Sequence, residues 1–310
     1  MLLSAVICTY NRRYLLEDQI RAIEAMPGWD SGDFEVIYVD NNSKDGTYEA
    51  LLKLCESRPQ IRVVRETQQG SSAARDRGAS EAHGEFIWFM DDDSLPHPCT
   101  LRIYLEALPG FNPEVATGPI LPLSALPTPW WLDIHARAFR VYLAHANYGN
   151  ETRWLEGKYA WGPNFIIRKD VFVSVGGHDQ TLGVVGTVLV GGEEEDLQRR
   201  IFAEGGRLLY LHEALVYHRV LPKQLRLSSF LHLRFDRGGL VARTTIRDGK
   251  PAEGLLSILP KMVGHVAATP YLLVTRRTSA AMDHVGALWG LSGYWMEKRR
   301  LGRRNNGAAD

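Results

Sequence analysis

A short apolar run that ends in three consecutive aspartates constrains this chain more than any other feature. Phe86–Met90 combines aromatic and β-branched residues, which is typical of a strand buried on both faces of a sheet. Asp91, Asp92 and Asp93 follow at once, and Pro96 ends the extended segment. Three adjacent carboxylates repel one another unless a cation or water neutralises them. The run therefore predicts either a divalent-metal site that binds a phosphate group or a solvated acidic turn.

Strand and helix patterns alternate along the first part of the chain. Helical segments separate four predicted strands, at 3–7, 34–39, 61–65 and 86–90. This alternation is typical of a parallel, doubly wound α/β sheet. Thr9-Tyr10-Asn11, Asp40-Asn41-Asn42 and Asp91-Asp92-Asp93 directly follow three of these strands. Because parallel strands end at one edge of a sheet, we expect these polar groups to meet where such sheets bind ligands.

The bulk composition is that of an ordinary globular chain. Its 310 residues are 45% hydrophobic and 23% charged, which allows a sizeable core. Cys8, Cys55 and Cys99 are too scattered for a disulfide framework or a cysteine metal site, and they fit a reducing compartment.

The apolar start lacks a basic segment and a cleavage site, so we expect it to form the first strand rather than a signal peptide. No uncharged run reaches about 18 apolar residues, so no spanning helix is predicted.

The net charge is zero, but basic and acidic residues are distributed unevenly along the chain. From Arg219 to Asp310 there are 16 Lys and Arg against 6 Asp and Glu, so the preceding part is acidic. Helical spacing is present in this basic part at 225–233, 255–274 and 281–295. The pattern favours a helical subdomain with a solvated end, or a peripheral contact in which Trp289, Trp295 and the basic cluster Lys298–Arg304 meet anionic lipid. Nucleic-acid binding is not expected, because no recognisable module is present.

A second acidic cluster begins a predicted helix. Glu193–Asp196 follows a glycine-rich segment at 183–192 and precedes a helical repeat that runs to about Glu204. The helix macrodipole favours anions at this end and accounts for one or two of the four acids. The excess suggests a general base that faces a cleft.

Four other segments carry weaker signals. Apolar runs at 115–121 and 165–167 predict two more strands. Trp130–Trp131 ends a proline-rich segment and is either part of a rigid surface connection or a stacking surface for sugar rings. His218 lies in a short apolar run, where a lone histidine is more often structural than a ligand.

Five segments occur in an order that is typical of one enzyme family. They are Val6–Arg12, Val39–Thr47, Ala74–Gly78, Asp91–Asp93 and Gly192–Leu197. Together they resemble the family 2 glycosyltransferases of GT-A fold, over about residues 3–220. The resemblance implies a Rossmann-like, mostly parallel central sheet with helices on both faces. It implies a catalytic domain of residues 1–220, and the composition of residues 221–310 predicts a helical, basic extension.

The resemblance also implies an activity. Enzymes of this family transfer a sugar from a nucleotide-sugar to an acceptor hydroxyl with inversion at the anomeric carbon. For this chain we expect a hexosyltransferase that uses a UDP-sugar, Mn²⁺ or Mg²⁺, and a sugar or lipid-linked glycan acceptor in cell-surface polysaccharide biosynthesis. The enzyme is expected in the cytoplasm, peripheral at the inner face of the cell membrane.

Site residues follow from the resemblance position by position. Asp93, Asp91 and His218 match the metal site. Glu194 matches the general base, and Glu193, Glu195 and Asp196 are rivals within the same acidic run. The nucleotide would be held by Thr9, Tyr10, Asn11, Arg12, Asp40, Asn42, Arg75, Asp91 and Asp92. The segment containing Trp161, Gly162 and Asn164 would shape the sugar and acceptor pocket, to which we add Trp130 and Trp131.

Two positions depart from the family pattern. Asp76 follows Arg75 where the family usually has Asn, so the local hydrogen bonding of that loop is expected to differ. Glu194 stands where the family usually has Asp, and its longer side chain still allows it to reach an acceptor hydroxyl.

Three other functions agree less well with the sequence. A processive polysaccharide synthase would have spanning helices. A sugar-nucleotide pyrophosphorylase would open with a glycine-rich phosphate loop, which Cys8–Asn11 is not. A non-catalytic nucleotide-sugar binding protein is disfavoured because acids occupy every expected position.

Overall fold

The computed structural model describes residues 1–185, 188–189, 191–247, 249, 251, 253, 255–274 and 277–306. They form two compact units. The first comprises Met1–Leu123, Ala144–Val188 and Gly192–Arg219, and the second comprises Ser124–Leu143, Leu189–Gly191 and Val220–Asp310.

The strands and helices alternate as the sequence predicts. The strands are β1 (Leu3–Thr9), β2 (Phe34–Asp40), β3 (Ile61–Arg65), β4 (Phe86–Asp91), β5 (Ser94–Pro96), β6 (Val115–Thr117), β7 (Ile120–Leu123), β8 (Arg153–Leu155), β9 (Phe165–Arg168), β10 (Val184–Val185), β11 (Val188–Leu189), β12 (Leu208–Tyr210) and β13 (Val216–Arg219). The helices are α1 (Leu16–Glu24), α2 (Thr47–Cys55), α3 (Ser71–Glu81), α4 (Thr100–Phe111), α5 (Lys169–Ser174), α6 (Glu193–Ala203), α7 (Leu227–Arg247), α8 (Leu255–Val274) and α9 (Thr278–Asn306).

An eight-stranded sheet forms the centre of the first unit, in the order β3-β2-β1-β4-β9-β6-β12-β8. β3, β2, β1 and β4 are mutually parallel, whereas β9 pairs antiparallel with both β4 and β6. Because β2, β1 and β4 are parallel neighbours, their carboxyl ends meet at one edge, as predicted. A smaller sheet of β5, β13 and β7 lies beyond the end of β4.

Helices cover both faces of the large sheet. Successive residues of β1 alternate between two core clusters, so that Ala5 and Ile7 face one side and Val6 faces the other. The first cluster includes residues of α1, α2 and α4, and the second includes residues of α3, α5 and α6. This doubly wound α/β arrangement, with further helices after residue 220, confirms the predicted fold class.

The strand predicted at 115–121 is two strands in different sheets. β6 ends at Thr117 and pairs in the large sheet, whereas β7 starts at Ile120 and pairs with β13. Gly118 separates them, and a Cβ there would lie only 1.9 Å from the carbonyl oxygen of Ala214. The next residue, Pro119, has no N–H to continue a ladder. The Gly118-Pro119 pair, a turn signal in the sequence, marks this break.

The second unit is built on three long helices. α9 packs against both α7 and α8, and glycines let α7 and α9 approach closely, since a Cβ on Gly238 would lie 1.8 Å from the carbonyl oxygen of Gly290. An aromatic cluster joins the segment 124–143 to α7 through Trp131, Phe139 and Phe230. Among the residues described, no helix has the length and apolarity required to span a membrane. Of the predicted basic cluster Lys298–Arg304, the side chains from residue 302 onward lie outside the described residues.

Candidate active site

The aspartate triplet forms a compact corner at the end of β4. The β1–β4 register aligns Cys8 with Asp91, so Thr9 reaches the next residue and donates a hydrogen bond of 2.8 Å to Oδ2 of Asp92. Asp92 and Asp93 are buried, whereas Asp91 remains partly exposed. The turn is therefore an internal structure and not the solvated acidic loop that was the alternative.

Arg12 and His218 contact the buried carboxylates of this corner. Arg12 pairs with Asp92 and lies 2.9 Å from Oδ2 of Asp93, and Nε2 of His218 lies 3.0 Å from Oδ1 of Asp93. Burial raises the pKa of Asp92 to about 6, although Arg12 opposes that shift. Burial also acts to raise the pKa of Asp93, but His218 and Arg12 together lower it, so Asp93 stays ionised.

The corner offers ligands for a divalent cation. One oxygen of Asp91, one oxygen of Asp93 and one ring nitrogen of His218 lie within 4.8 Å of one another. Burial raises the pKa of Asp91, and Asp93 adds to that shift, so a bound cation would relieve an unfavourable charge arrangement. Two carboxylates suit Mg²⁺ or Mn²⁺, and these residues therefore fit the predicted metal.

A second group of polar residues lies where β1 and β2 end. Asp40 is fully buried, and its Oδ2 accepts a hydrogen bond of 3.2 Å from the backbone N–H of Ser43 and lies 3.5 Å from Nε of Arg65. Oδ1 of Asp40 has no donor in the part of the chain that the structure describes. A buried acceptor without a partner is costly, so an N–H group of a ligand would satisfy it.

Asparagines fix the two loops around Asp40. Asn11 has φ +53°, and its side chain accepts a hydrogen bond of 2.7 Å from the backbone N–H of Lys44, which ties the first loop to the second. Asn42 also has a positive φ, +62°, a conformation that asparagine tolerates better than most residues. Tyr10 is half-buried beside them.

Arg75 connects this edge to the second acidic cluster. It lies on α3, is buried, and contacts three carboxylates: Asp91 at 3.2 Å, Glu193 at 2.7 Å and Glu194 at 3.0 Å. These ion pairs raise its pKa even though burial opposes the charge, so the guanidinium is permanently charged. Arg75 thus brings together the aspartate corner and the start of α6, which the sequence separates by about a hundred residues.

The four acids that begin α6 have four different environments. Glu193 is buried and accepts hydrogen bonds from Ser71 at 3.1 Å and Arg75 at 2.7 Å. Glu194 is partly exposed, Glu195 is exposed, and Asp196 pairs with Arg200 at 3.1 Å. Only the first two contact Arg75, so the structure separates Glu195 and Asp196 from the rest of the site.

Glu194 is held by two contacts and is protonated more readily than an ordinary glutamate. Its Oε2 accepts a hydrogen bond of 2.9 Å from the backbone N–H of Gly162, and its Oε1 contacts Arg75. Burial raises the pKa of Glu194 to about 7, against the opposing effect of Arg75. A carboxylate with a pKa near neutrality, 24% exposed, is suited to exchange a proton with a ligand.

Gly162 approaches this carboxylate too closely to carry a side chain. A Cβ at this position would lie 2.3 Å from Oε1 of Glu194 and 3.0 Å from a guanidinium nitrogen of Arg75. Glycine is therefore required if Glu194 is to keep this position. Trp161, the preceding residue, is partly exposed.

Two residues predicted to contact a sugar are instead buried. Asn164 has no exposed surface, and its amide is used by Trp88, Tyr104 and the carbonyl of Ala214, so it stabilises the core. Trp131 packs against Phe139 and Phe230 in the second unit, whereas Trp130 is 76% exposed. Burial leaves neither Asn164 nor Trp131 available to a ligand.

Other residues that position the corner were not singled out from the sequence. Gln19 on α1 donates hydrogen bonds to the carbonyl oxygens of Asp91, at 2.7 Å, and Ser94, at 2.9 Å. Arg219 donates to the carbonyl oxygen of Asp92 at 3.3 Å. Gln19 lies on the same helix face as the buried Leu16 and Ile23, and a polar residue on an apolar face was a usable signal.

Asp76, which stands where the family usually has Asn, contacts residues that are distant in the sequence. Nδ1 of the buried His178 lies 2.7 Å from Oδ1 of Asp76, and the backbone N–H of His178 donates to the same oxygen at 3.2 Å. Gln180 donates to the other carboxylate oxygen at 2.7 Å. The carboxylate thus anchors the segment that follows α5 to α3, one residue after Arg75.

Comparisons with known proteins define the class of the enzyme. A family model described as Glycosyl transferase family 2 matches residues 4–176, more than half of the chain, and the chain therefore belongs to glycosyltransferase family 2. It is similar to glycosyltransferase AglE of Haloferax volcanii, with 23% identity over 71% of this chain and 67% of that protein. It is also similar to the glucosyl-dolichyl phosphate glucuronosyltransferase of the same organism, with 24% identity over 77% of this chain and 75% of the relative.

A solved structure supports the same fold. The mannosyltransferase PcManGT of Pyrobaculum calidifontis, in complex with GDP-mannose and Mn²⁺, superposes with a TM-score of 0.57 and 16% identity. The match covers 99% of this chain and 75% of that one. The chain is thus a glycosyltransferase of GT-A fold, and its family membership favours glycosyl transfer over the pyrophosphorylase and non-catalytic alternatives.

Proposed function

We propose that this enzyme transfers a sugar from a nucleoside-diphosphate sugar to an acceptor hydroxyl with inversion at the anomeric carbon, and that Glu194 is the general base. The observation that carries the proposal is the contact of Arg75 with both Asp91 and Glu194, at 3.2 Å and 3.0 Å. This contact supports the proposal, because a carboxylate of near-neutral pKa then lies beside the corner that would hold the metal. A single displacement requires these two functions side by side.

The donor would lie along the carboxyl ends of β2, β1 and β4. The unpartnered Oδ1 of Asp40 suits an N–H group of the nucleobase, and Thr9, Tyr10, Asn11, Arg12 and Asn42 surround the same edge. Asp93, Asp91 and His218 would hold a divalent ion, which supplies charge neutralisation for the leaving diphosphate. We predict UDP as the nucleotide, and the GDP-mannose in the Pyrobaculum structure makes GDP the first comparison.

Glu194 would accept the proton of the acceptor hydroxyl as that oxygen attacks the anomeric carbon. Its two contacts hold the carboxylate in place, since Gly162 donates a hydrogen bond to one oxygen and Arg75 forms an ion pair with the other. Glu193 stays ionised, because Arg75 and the backbone lower its pKa although burial opposes them, and it orients Arg75. Glu193 is accordingly a positioning residue.

The acceptor is proposed to be a sugar or a lipid-linked glycan in the synthesis of a cell-surface polysaccharide. The similarity to a relative named for a dolichyl phosphate substrate supports the lipid-linked class. The partly exposed ring of Trp161 is available for sugar stacking. We propose residues 1–220 as the catalytic domain and residues 221–310 as a helical extension whose basic end contacts an anionic membrane at the cytoplasmic face.

The test is the stereochemistry of transfer. The enzyme is incubated with Mn²⁺, each nucleotide-sugar in turn and a lipid-linked or free glycoside acceptor, and proton NMR follows the anomeric signal of the first product. We expect an anomeric configuration opposite to that of the donor. Retention of configuration would contradict a single displacement with Glu194 as base, because it requires two displacements or a different mechanism.

A further inference from the structure

An apolar stripe is exposed along the whole of α8. Leu259, Val263, Val266 and Leu273 are between 45% and 60% exposed. Pro270, between the last two, is exposed as well. These positions follow a spacing of four, three, four and three residues, so they lie on one face of the helix over about 21 Å.

This stripe is additional to the face by which α8 packs. Ile258 is fully buried and belongs, together with the partly buried Met262, to a cluster with Tyr294 of α9. A helix at the surface of a globular protein has one apolar face and an opposite polar face. α8 has two adjacent apolar faces, contains no Asp or Glu, and has Lys261 as its single Lys or Arg. A partner that excludes water from the second face is therefore required.

The charge around α8 favours an anionic partner. From Val220 to the end, the sequence has 15 Lys and Arg against 6 Asp and Glu. The basic residue Lys298 lies next to the start of the helix, where its ammonium group donates a hydrogen bond of 2.6 Å to the carbonyl oxygen of Glu253. Lys261 forms an ion pair of 2.6 Å with Glu253, so the positive charge at this end of α8 is that of Lys298, which the exposed Arg299 and Arg300 follow on α9. A second copy would carry the same positive charge and be repelled, whereas negatively charged headgroups would be attracted.

We propose that α8 is a membrane-surface helix, which inserts the stripe Leu259–Leu273 into the interface of an anionic lipid bilayer and lies parallel to its plane. This inference rests on the membrane contact proposed above and assigns a second, apolar part of it to α8. The side chains that the stripe exposes are small aliphatic groups, which suit the boundary between headgroups and acyl chains. Lys261 places a charge within the apolar sequence of α8, which is consistent with a helix that lies on the membrane instead of crossing it.

The test measures binding of the full-length protein to vesicles. Sedimentation is performed with phosphatidylcholine vesicles and with vesicles in which about one third of the lipid is phosphatidylglycerol. The variant Val263→Ser/Val266→Ser removes apolar surface from the stripe without changing the charge. The matched control is Val141→Ser/Val173→Ser, which changes two exposed valines outside α8. Circular dichroism checks that both variants are folded.

We expect wild type and control to bind the anionic vesicles and the stripe variant to bind at least about tenfold more weakly. Binding to phosphatidylcholine alone should be weaker, and added salt should reduce binding to the anionic vesicles. Equal binding of the stripe variant and the control would overturn the proposal. So would a wild-type protein that binds no vesicles and forms, by light scattering, a dimer that the stripe variant loses, because the stripe would then cover a second copy.

Discussion

Glu193 and Glu194 are adjacent in the sequence, but their side chains have different protonation behaviour. Ser71 and Arg75 hold Glu193 as an anion, whereas burial raises the pKa of Glu194 to about 7. Neighbouring carboxylates whose environments separate their pKa values commonly divide structural and proton-transfer roles. The same separation exists in the aspartate corner, where the pKa of Asp92 is raised to about 6 and that of Asp93 is lowered.

Glu194→Gln should lower kcat by about 10²- to 10⁴-fold, because the amide cannot accept the acceptor proton. Nucleotide binding should change little, since Glu194 is proposed to contact the acceptor hydroxyl and not the nucleotide. Steady-state kinetics and calorimetric titration with the nucleoside diphosphate measure the two effects. Glu195→Gln is the matched control and should retain full activity, because Glu195 is exposed. Full activity of Glu194→Gln would refute the assignment.

The activity of the wild-type enzyme should rise with pH and level off above about 7, because Glu194 must lose its proton to act as a base. Below that pH, kcat should fall about tenfold per pH unit. A pH profile of kcat at saturating donor, acceptor and metal measures this. A profile that stays level through the region of pH 5 to 7 would show that a group of ordinary carboxylate pKa, or no such group, limits the reaction.

Gly162→Ala should displace Glu194, because the new Cβ would lie 2.3 Å from its Oε1. A shift of about 1 Å in a reacting group is expected to cost about 10²-fold in kcat. Gly110→Ala is the control, since no atom lies within 4 Å of a Cβ built there. Kinetics should separate the two variants, while nucleotide-induced thermal stabilisation should be present in both. Equal kcat in the two variants would mean that the Gly162 contact does not position the base.

At the scale of elements, the sequence predicted most of the α/β framework. β1–β4 and α1–α4 follow from apolar periodicity and turn residues, because each is formed by a contiguous segment. The pattern failed at 115–121, where the break depends on the close approach of Gly118 to Ala214, almost a hundred residues later. Distant backbone contacts of this kind leave no periodic signal.

The helical repeat of α6 predicts which of its four acids lie on the buried face, but it does not predict their contacts with other elements. Leu197 and Ile201 are buried on one face, which places Glu193, one turn earlier, on the same face. The buried Gln198 places Glu194 at the edge of that face. The helix repeat therefore contained the information that distinguishes these two acids from Glu195. It could not show that Arg75 of α3 would lie between them and Asp91.

Asp76→Ala should destabilise the protein by about 1–3 kcal/mol, because the buried N–H groups of His178 would lose their acceptor. Asp76→Asn keeps one acceptor oxygen and should cost less. Urea unfolding monitored by circular dichroism measures both. If both variants unfold at the urea concentration of wild type, the Asp76–His178 contact does not anchor the segment after α5.

At the scale of the whole molecule, the first unit supplies the whole of the proposed site, while the second unit carries the basic charge and the α8 stripe. The resemblance to the family assigned candidate site residues in the sequence, but it could not predict their burial. Asn164 and Trp131 are polar or amphipathic residues next to predicted binding segments, yet both are buried by partners such as Tyr104 and Phe230. Such long-range packing is decided by the complete fold.

Nucleotide binding should depend on metal. In a thermal-shift panel of UDP, GDP, dTDP and CDP, each with and without Mn²⁺, we expect one nucleotide, UDP, to raise the midpoint by a few degrees only when Mn²⁺ is present. Asp93→Asn should lose this increment, measured against its own ligand-free midpoint, because it removes a metal-ligating carboxylate. Equal stabilisation with and without Mn²⁺ in the wild type would argue against metal-assisted donor binding.

The most direct test of the account is a crystal structure of the Glu194→Gln variant with Mn²⁺, the intact nucleotide-sugar and an acceptor. We predict that the ion is bonded to Asp93 and to the diphosphate, and that the acceptor hydroxyl lies about 3 Å from the side chain of residue 194, facing the anomeric carbon. An ion bound away from Asp91, Asp93 and His218, or an acceptor hydroxyl that contacts a different carboxylate, would contradict it.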